Sequence, residues 1–445
     1  MVGQPLAADP GRGRPVGVGP PRLIGGGLLV TDAVGLWMRT CRKEGKYRMK
    51  EPVRARSRLR CTRWLAVVAS VAVAGCSGAS PSPRPIQPPP TVAPTPTPSP
   101  TPTPTPTPTA PPTRVFSTAG SVGAGDRSAV LLGDGRILLV GGRDGSGRAV
   151  ATAEFFYPQS GVYKPAHPMA VARLDPTVTA LADGRILIAG GKGEDGTPLV
   201  SAELFNPAFS DFLDSGSMTT ARSGASAFLL RDGTVLVFGG EGAGGTPLTS
   251  AELFDPKTGR FGQAGPLLQA RNAYGATRLS DGRVLVAGGC CAGWTVFTSM
   301  EIFDPATGYF QSGPSMMTAR SGATATQLPN GPVLIAGGIG AGGVVLATAE
   351  LFDPLTMTFR RTSSMTAARQ GMTATLLPNG RVLIAGGAAD NSAELYDPAS
   401  NSFVAAGPMP AHRVGATATL LPDGRVYIVG GATGPGSLLA EMYAP

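Results

Sequence analysis

Seven times along this chain the pattern Asp/Asn-Gly-x, four mainly apolar residues and Gly-Gly recurs, beginning at Asp134, Asp183, Asp232, Asp281, Asn330, Asn379 and Asp423. The spacing is 49 residues five times and then 44. A fixed period of this length means one supersecondary unit repeated, each copy burying its apolar face against the next. Two more columns keep the register. A glutamate opens "AELFDP" and its variants at Glu154, Glu203, Glu252, Glu301, Glu350, Glu394 and Glu441. An aromatic residue recurs at Phe116, Tyr163, Phe212, Phe261, Phe310, Phe359 and Phe403, each six residues before a Met, Leu or Val.

Each unit reads as four short strands. Strand a is the small-residue stretch, such as "SGATATQL" (Ser321 to Leu328), and a "PDG" or "PNG" turn follows, where glycine supplies the positive φ that hairpins use. Strand b is "RVLIAGG", strand c is "AELFDP", and strand d carries the aromatic. β-branched and aromatic residues suit such half-buried pleated positions, and four strands in a period near 50 make one propeller blade.

On these residues the chain resembles the kelch-repeat β-propellers, through the double glycine that ends strand b (Gly141-Gly142 to Gly430-Gly431) and the Glu-x-Phe/Tyr-Asp-Pro element. The resemblance covers about residues 114–445 and implies an all-β, seven-bladed propeller with four antiparallel strands per blade. Two departures concern the subfamily and not the fold. The aromatic usual before the double glycine is mostly aliphatic here, Tyr427 excepted, and the usual strand-d tryptophan is Phe or Tyr. The repeat opens on a strand d, "VFSTAGSV" (115–122), and closes on a strand c, "AEMYAP". The expected closure is therefore of the Velcro type, with blade 7 taking its last strand from the N-terminal segment.

Charge assigns the rest of the chain. The formal net charge is +9, but residues 1–75 hold 14 Lys/Arg against 4 Asp/Glu, which leaves 24 against 25 for the remainder. A near-neutral body lacks the basic footprint that phosphate contacts require, so nucleic acid is not an expected partner. Lys50, Arg54, Arg56, Arg58, Arg60 and Arg63 precede an apolar run from Trp64 to Ala74, too short to span a bilayer comfortably and of signal-peptide length. The run ends in Val73-Ala74-Gly75-Cys76, which resembles the lipobox of bacterial lipoproteins and implies a signal peptide over 49–75 and a diacylated Cys76 at the mature N-terminus. A signal peptide sits near the start of its protein, so translation is expected to begin at Met49 or Met38, with 1–48 a mis-assigned upstream extension. Residues 76–113 include "TPTPTPTPTA", whose alternating prolines favour an extended polyproline stalk. The expected localisation is the outer face of a bacterial membrane, and the expected state a monomer.

Candidate sites fall on the face that carries the b–c and d–a loops, because the b–c loops vary in sequence while the opposite turns are uniform. Arg173, Arg222, Arg271, Arg320, Arg369 and Arg413 begin six of the seven inner strands there, level with Glu203, Glu252, Glu301, Glu350 and Glu394. They read as a repeated Arg–carboxylate bond holding blade to blade, in preference to a cationic ring for an acidic ligand. Function is sought instead in departures from the repeat. The foremost is "CCAGW" in blade 4, where Cys290 and Cys291, if oxidised to a ring, would form a hard apolar plate beside Trp294 for a sugar or aromatic ligand. Reduced thiols tucked under the loop, or a drifted loop with no role, are the alternatives.

His167 and His412 lie in d–a loops five blade positions apart. His412 joins the blade 4 residues as a candidate ligand contact. Some kelch propellers are copper radical oxidases, but no tyrosine is placed for that role, and adjacent cysteines lack metal-ligand spacing. No catalytic residue, metal or other cofactor is assigned. The expected function is binding of an envelope or extracellular protein or glycan. Its rivals are a sugar-active enzyme using Arg and carboxylates, and a spacer without a ligand. Replacing Cys76 by Ser is expected to abolish incorporation of a labelled fatty acid and to release the protein from the membrane fraction. Label retained by the variant would exclude lipidation at this residue.

Overall fold

The computed structural model describes residues 115–123, 125–291, 293, 295–431 and 439–445, all within the compact unit Pro102–Pro445. The upstream extension, signal peptide, Cys76, the stalk and Trp294 lie outside the described residues.

Twenty-eight strands form seven four-stranded sheets. After β1 (Val115–Ser121), blade 1 consists of β2 (Ser128–Leu131), β3 (Ile137–Val140), β4 (Ala153–Tyr157) and β5 (Val162–Pro165), antiparallel in that order. Blades 2 to 6 repeat this meander over 177–215, 226–264, 275–312, 324–361 and 373–408. The seventh sheet draws on both ends of the described chain. In it β26 (Thr417–Leu420), β27 (Val426–Val429) and β28 (Leu439–Ala444) are followed by β1, which pairs antiparallel with β28 from Val115↔Ala444 onward. Among the described residues the only helical pieces are two 3₁₀ turns, Ala243–Gly245 and Ala341–Gly343, both in b–c loops.

The strand sequences follow from where each strand sits. Strand b of every blade is a continuous apolar run, and all four of its residues are buried in each copy, because both faces of the sheet are covered by neighbouring blades. Seven apolar clusters fill the spaces between blades, one per adjacent pair. Between blades 1 and 2, for example, Leu138, Val140, Phe155 and Met169 meet Ile186, Ile188 and Phe205. Between blades 7 and 1, Tyr427, Val429 and Met442 meet Ile137, Leu139 and Phe156, so the ring has no gap in its core.

The repeated aromatic of strand d also has its reason. Directly opposite on strand c stands a second aromatic, and all seven pairs have centroids 4.7–5.1 Å apart, from Phe156–Tyr163 to Tyr443–Phe116. Such cross-strand pairs hold the outermost strand to its sheet.

Two glycines end each strand b because the chain must leave the sheet while the next blade's main chain passes close by. Gly141 and Gly142 have φ of 62° and 99°, and a Cβ on either would strike a carbonyl, that of Arg173 or Gly125.

The repeated arginines are buried inside the blades. Arg173 donates to Gly190 O (2.9 Å), Ser201 O (2.8 Å) and Ser201 Oγ (2.9 Å), and ion-pairs with Glu203 at 3.0 Å. Arg222, Arg271, Arg320 and Arg369 repeat this with Glu252, Glu301, Glu350 and Glu394 at 2.7–3.0 Å, and Arg413 pairs with Glu441 through Nε at 2.9 Å. The glutamate in turn accepts main-chain N–H groups from the preceding d–a loop, as Glu203 does from Ala170 (2.8 Å) and Val171 (3.2 Å). The ion pair thus lies within one blade, and the tie to the neighbour is made by the arginine's carbonyl. Gly142, Gly191, Gly289, Gly338 and Gly387 each donate to the carbonyl of the next blade's arginine at 2.7–3.0 Å.

Blade 1 carries a seventh arginine that the register does not reveal. By spacing its place would fall on Ala124, but Arg127, three positions later, brings its guanidinium to the same acceptors: Thr152 O (3.4 Å), Thr152 Oγ1 (2.9 Å) and Glu154 (3.6 Å). At this junction Gly431 donates to the carboxylate of Asp126 (2.9 Å) where other blades use an arginine carbonyl. Burial holds Arg127, Arg173, Arg222, Arg271 and Arg320 below the usual guanidinium range, against the pull of their glutamates, yet an arginine remains charged at any physiological pH.

Arg222→Ala is expected to lower unfolding stability by about 3–5 kcal/mol, since it strands a buried carboxylate. Arg283→Ala, which removes a half-exposed bond to Asp281 on the turn face, is expected to cost no more than about 1 kcal/mol. Denaturant unfolding of the two variants checks this, and equal losses would contradict it.

Candidate functional site

The b–c and d–a loops share one face of the ring, and two columns of residues form its centre. The first is the residue after each double glycine: Arg143, Lys192, Glu241, Cys290, Ile339 and Ala388 in blades 1 to 6. Arg143, Lys192, Glu241, Cys290 and Ile339 each bridge to the start of an inner strand and to a b–c loop, as Cys290 does to Asn272 and Val296. The second column lies two residues after the repeated arginine in blades 2 to 7 and directly before Arg127 in blade 1, and has positive φ throughout: Asp126, Asp175, Gly224, Ala273, Gly322, Gly371 and Gly415.

These columns bring charged and polar side chains together on blades 1 to 4. Arg143 ion-pairs with Asp126. Lys192 Nζ lies 3.9 Å from Glu241, Asn272 Nδ2 donates to Glu241 Oε1 (2.7 Å), and Cys290 Sγ donates to Asn272 Oδ1 (3.0 Å). Burial pushes the Glu241 carboxyl above its usual range, with Asn272 and Lys192 pulling the other way. Asp175 is exposed at this face; desolvation by the surrounding protein, and then the nearby Asp126 charge, raises its carboxyl, against Lys192 and Arg143. None of Asp126, Arg143, Asp175, Lys192 and Glu241 was singled out from sequence. The signal was present, for blades 5 and 6 carry Ile339 and Ala388 in the first column and glycine in the second.

The blade 3/4 seam differs from the others as well. Tyr274 stands where other blades have a small residue, proline, methionine or Arg127, and its hydroxyl donates to Phe238 O (2.8 Å). The bond from the second glycine to the next arginine's carbonyl is not made at this seam among the described residues.

The sequence-derived candidates land as follows. No disulfide joins Cys290 and Cys291, so the apolar plate is not formed in this structure. Cys290 is 4 % exposed, while the Cys291 that follows it is half-exposed. Burial raises the Cys290 thiol, with a bond to Ser321 opposing. His412 is half-buried, and its Nε2–H donates to Ala388 O (2.6 Å). His167 is exposed beside Asp211 at a different blade junction. The arginine and glutamate columns are sealed under the face, so no cationic ring opens at the mouth.

A groove of about 510 Å³ between blades 2 and 3, lined by Asp183, Arg231, Asp232, Thr234, Asp255 and Lys257, lies on the opposite face. It is open and built from the a–b and c–d turns, whose form recurs in every blade.

Residues 272–317, the whole of blade 4, match the family model described as the Kelch motif. The ring is a propeller of kelch repeats. No curated protein matches the sequence. Among solved structures, the kelch propeller is similar to a fungal alcohol oxidase of the AA5 family determined in complex with copper. The two are 18 % identical with a TM-score of 0.62, over 75 % of this chain and 76 % of that one. At this identity the likeness is one of fold. The donor set here does not fit copper. Among the described residues no three His, Cys, Asp or Glu side chains are grouped to hold a metal, and the Tyr163 and Tyr427 hydroxyls are bonded to each other at 3.0 Å.

In the folded protein at pH 8, iodoacetamide is expected to label Cys291 well before Cys290, whose burial withholds the thiolate. Peptide mass mapping over time reads this, and equal rates would show that Cys290 is not enclosed.

Proposed function

We propose that this protein is an extracytoplasmic lipoprotein, held at the outer face of a bacterial membrane through Cys76, whose kelch propeller is a rigid binding platform for an envelope or extracellular protein or glycan. One observation carries the reading. The charges common to every blade are buried as structural pairs, whereas those that break the repeat gather on the b–c/d–a face of blades 1 to 4. A scaffold selected only as a spacer has no need of such a concentration.

The mechanism is preorganisation. The glutamate of each blade fixes the d–a loop that reaches this face, so little ordering is required when a partner docks. Cys291 and the half-buried His412 belong to the same face, and the blade 4 loop remains the candidate for specific contact.

The full chain and a variant with Cys290→Ser, Cys291→Ser and Trp294→Ala would be exposed to solubilised envelope proteins and glycans. The parent is expected to retain a defined partner saturably, and the variant, folded by thermal unfolding, to bind it at least about tenfold more weakly. Equal retention would move the site off the blade 4 loop, and no saturable partner for either would overturn the platform reading.

A further inference from the structure

Exposed apolar side chains gather on the b–c/d–a face where its charges stop. Leu268 and Met317 hold the same place in the d–a loops into blades 4 and 5, and are 61 % and 47 % exposed. The loops into blades 2, 3, 6 and 7 carry Ala170, Thr219, Thr366 and Pro410 there. The blade 4 b–c loop joins the two positions. Ser299 Oγ donates to Gln269 Oε1 (2.9 Å) beside Leu268, and Met316 N–H donates to Thr298 O (2.9 Å) beside Met317. Glu301 and Glu350 accept the N–H groups of Leu268 (2.7 Å) and Met317 (2.8 Å), which fixes both loops. Val344, 62 % exposed, follows in the blade 5 b–c loop, and neither that loop nor the blade 4 loop contains Lys, Arg, Asp or Glu. Exposed apolar residues grouped within a polar rim mark interaction surfaces.

The charges that flank this tract are mostly acidic. Arg143 is taken by Asp126, and Lys192 lies against Glu241. The buried arginine column aside, Arg148 is the one other base in the b–c and d–a loops. Against it stand Asp144, Asp175, Glu194, Asp195 and Asp390, all exposed and none in an ion pair among the described residues. The first four lie on the blade 1 and 2 side of the tract and Asp390 on the blade 6 side. The face is therefore apolar in one sector and negative around it.

We propose that this face docks a basic amphipathic protein segment, with its apolar side chains on Leu268, Met317 and Val344 and its lysines or arginines toward the surplus carboxylates. This names the partner class for the platform reading and rests on it. Charge complementarity selects the occupant. A neutral glycan would leave the carboxylates without partners, and an anionic lipid surface would meet them with like charge. Burial of the three apolar side chains supplies affinity, while the carboxylates steer the encounter and set the register. Leu268 and Met317 are not required by the scaffold, because blades 3 and 6 receive threonine in their place.

The test titrates the full chain with a leucine–lysine peptide of amphipathic spacing, read by calorimetry. Two comparison peptides replace its lysines by glutamate or its leucines by serine. Saturable binding of the leucine–lysine peptide is expected, weakened by added salt, with each comparison peptide at least about tenfold weaker. Leu268→Thr with Met317→Thr, which installs the residue of blades 3 and 6, should weaken binding at least about tenfold. Asp175→Asn, Glu194→Gln and Asp195→Asn together should weaken it similarly and flatten its salt dependence. Leu355→Thr removes a side chain 90 % exposed on the opposite face and should leave binding unchanged. No saturable binding, equal binding of the serine peptide, or unchanged affinity in either the apolar or the acidic variant would overturn the proposal. An envelope partner retained by the parent while the peptide fails to bind would overturn this inference and leave the platform reading intact. A neutral glycan held at Leu268 and Met317 in place of the peptide would do the same.

Discussion

The buried arginine–glutamate pair is the interaction on which the rest of the ring depends. Each guanidinium satisfies carbonyls where strands b and c leave the sheet, and each glutamate fastens the incoming d–a loop. The arginine's own carbonyl, in five junctions, accepts from the previous blade. Strand spacing, loop position and blade contact therefore meet at one residue pair. Its burial makes it costly to break, since a charge left without its partner in a dry interior has no compensation. The requirement is strong enough that blade 1 meets it from a different main-chain position, with Arg127 reaching Thr152 and Glu154 and Asp126 standing in for a displaced carbonyl.

With the consensus charges consumed in this way, the surface is free to vary without risk to the fold. Both central columns lie within two residues of the double glycine or the arginine, so their main chain is fixed while their side chains are not. Blades 1 to 4 use that freedom for charge and polarity, and blades 5 and 6 do not. A symmetric scaffold thereby acquires an asymmetric face. The Tyr274 wedge adds to this asymmetry at the seam where Glu241, Asn272 and Cys290 meet.

Much of the architecture was legible because a repeat states each constraint seven times. Blade number, strand order and the aromatic of strand d all follow from columns in register. Single residues were less legible. Arg127 escaped because a register comparison finds Ala124 in its place, and only the spatial overlap of the guanidinium reveals the equivalence. The blade 4 cysteines drew attention as the most unusual letters in the repeat, yet Cys290 turned out to be enclosed and bonded to Asn272. The quieter departures, Asp126, Asp175, Lys192 and Glu241, sit in columns whose shared location around the axis cannot be seen in one dimension.

The sequence alone determined that this chain forms seven four-stranded blades, with a glutamate column in all seven and an arginine column in six, because periodic burial and pairing leave periodic letters. Only the tertiary structure decided that those charges are sealed within the blades, and that residues about 49 positions apart meet around the axis to form one polar arc. The physical reason is that burial depends on what the neighbouring blade covers. Pairing of Glu241 with Lys192 and with Asn272 depends on distances across blade junctions, which no single repeat contains.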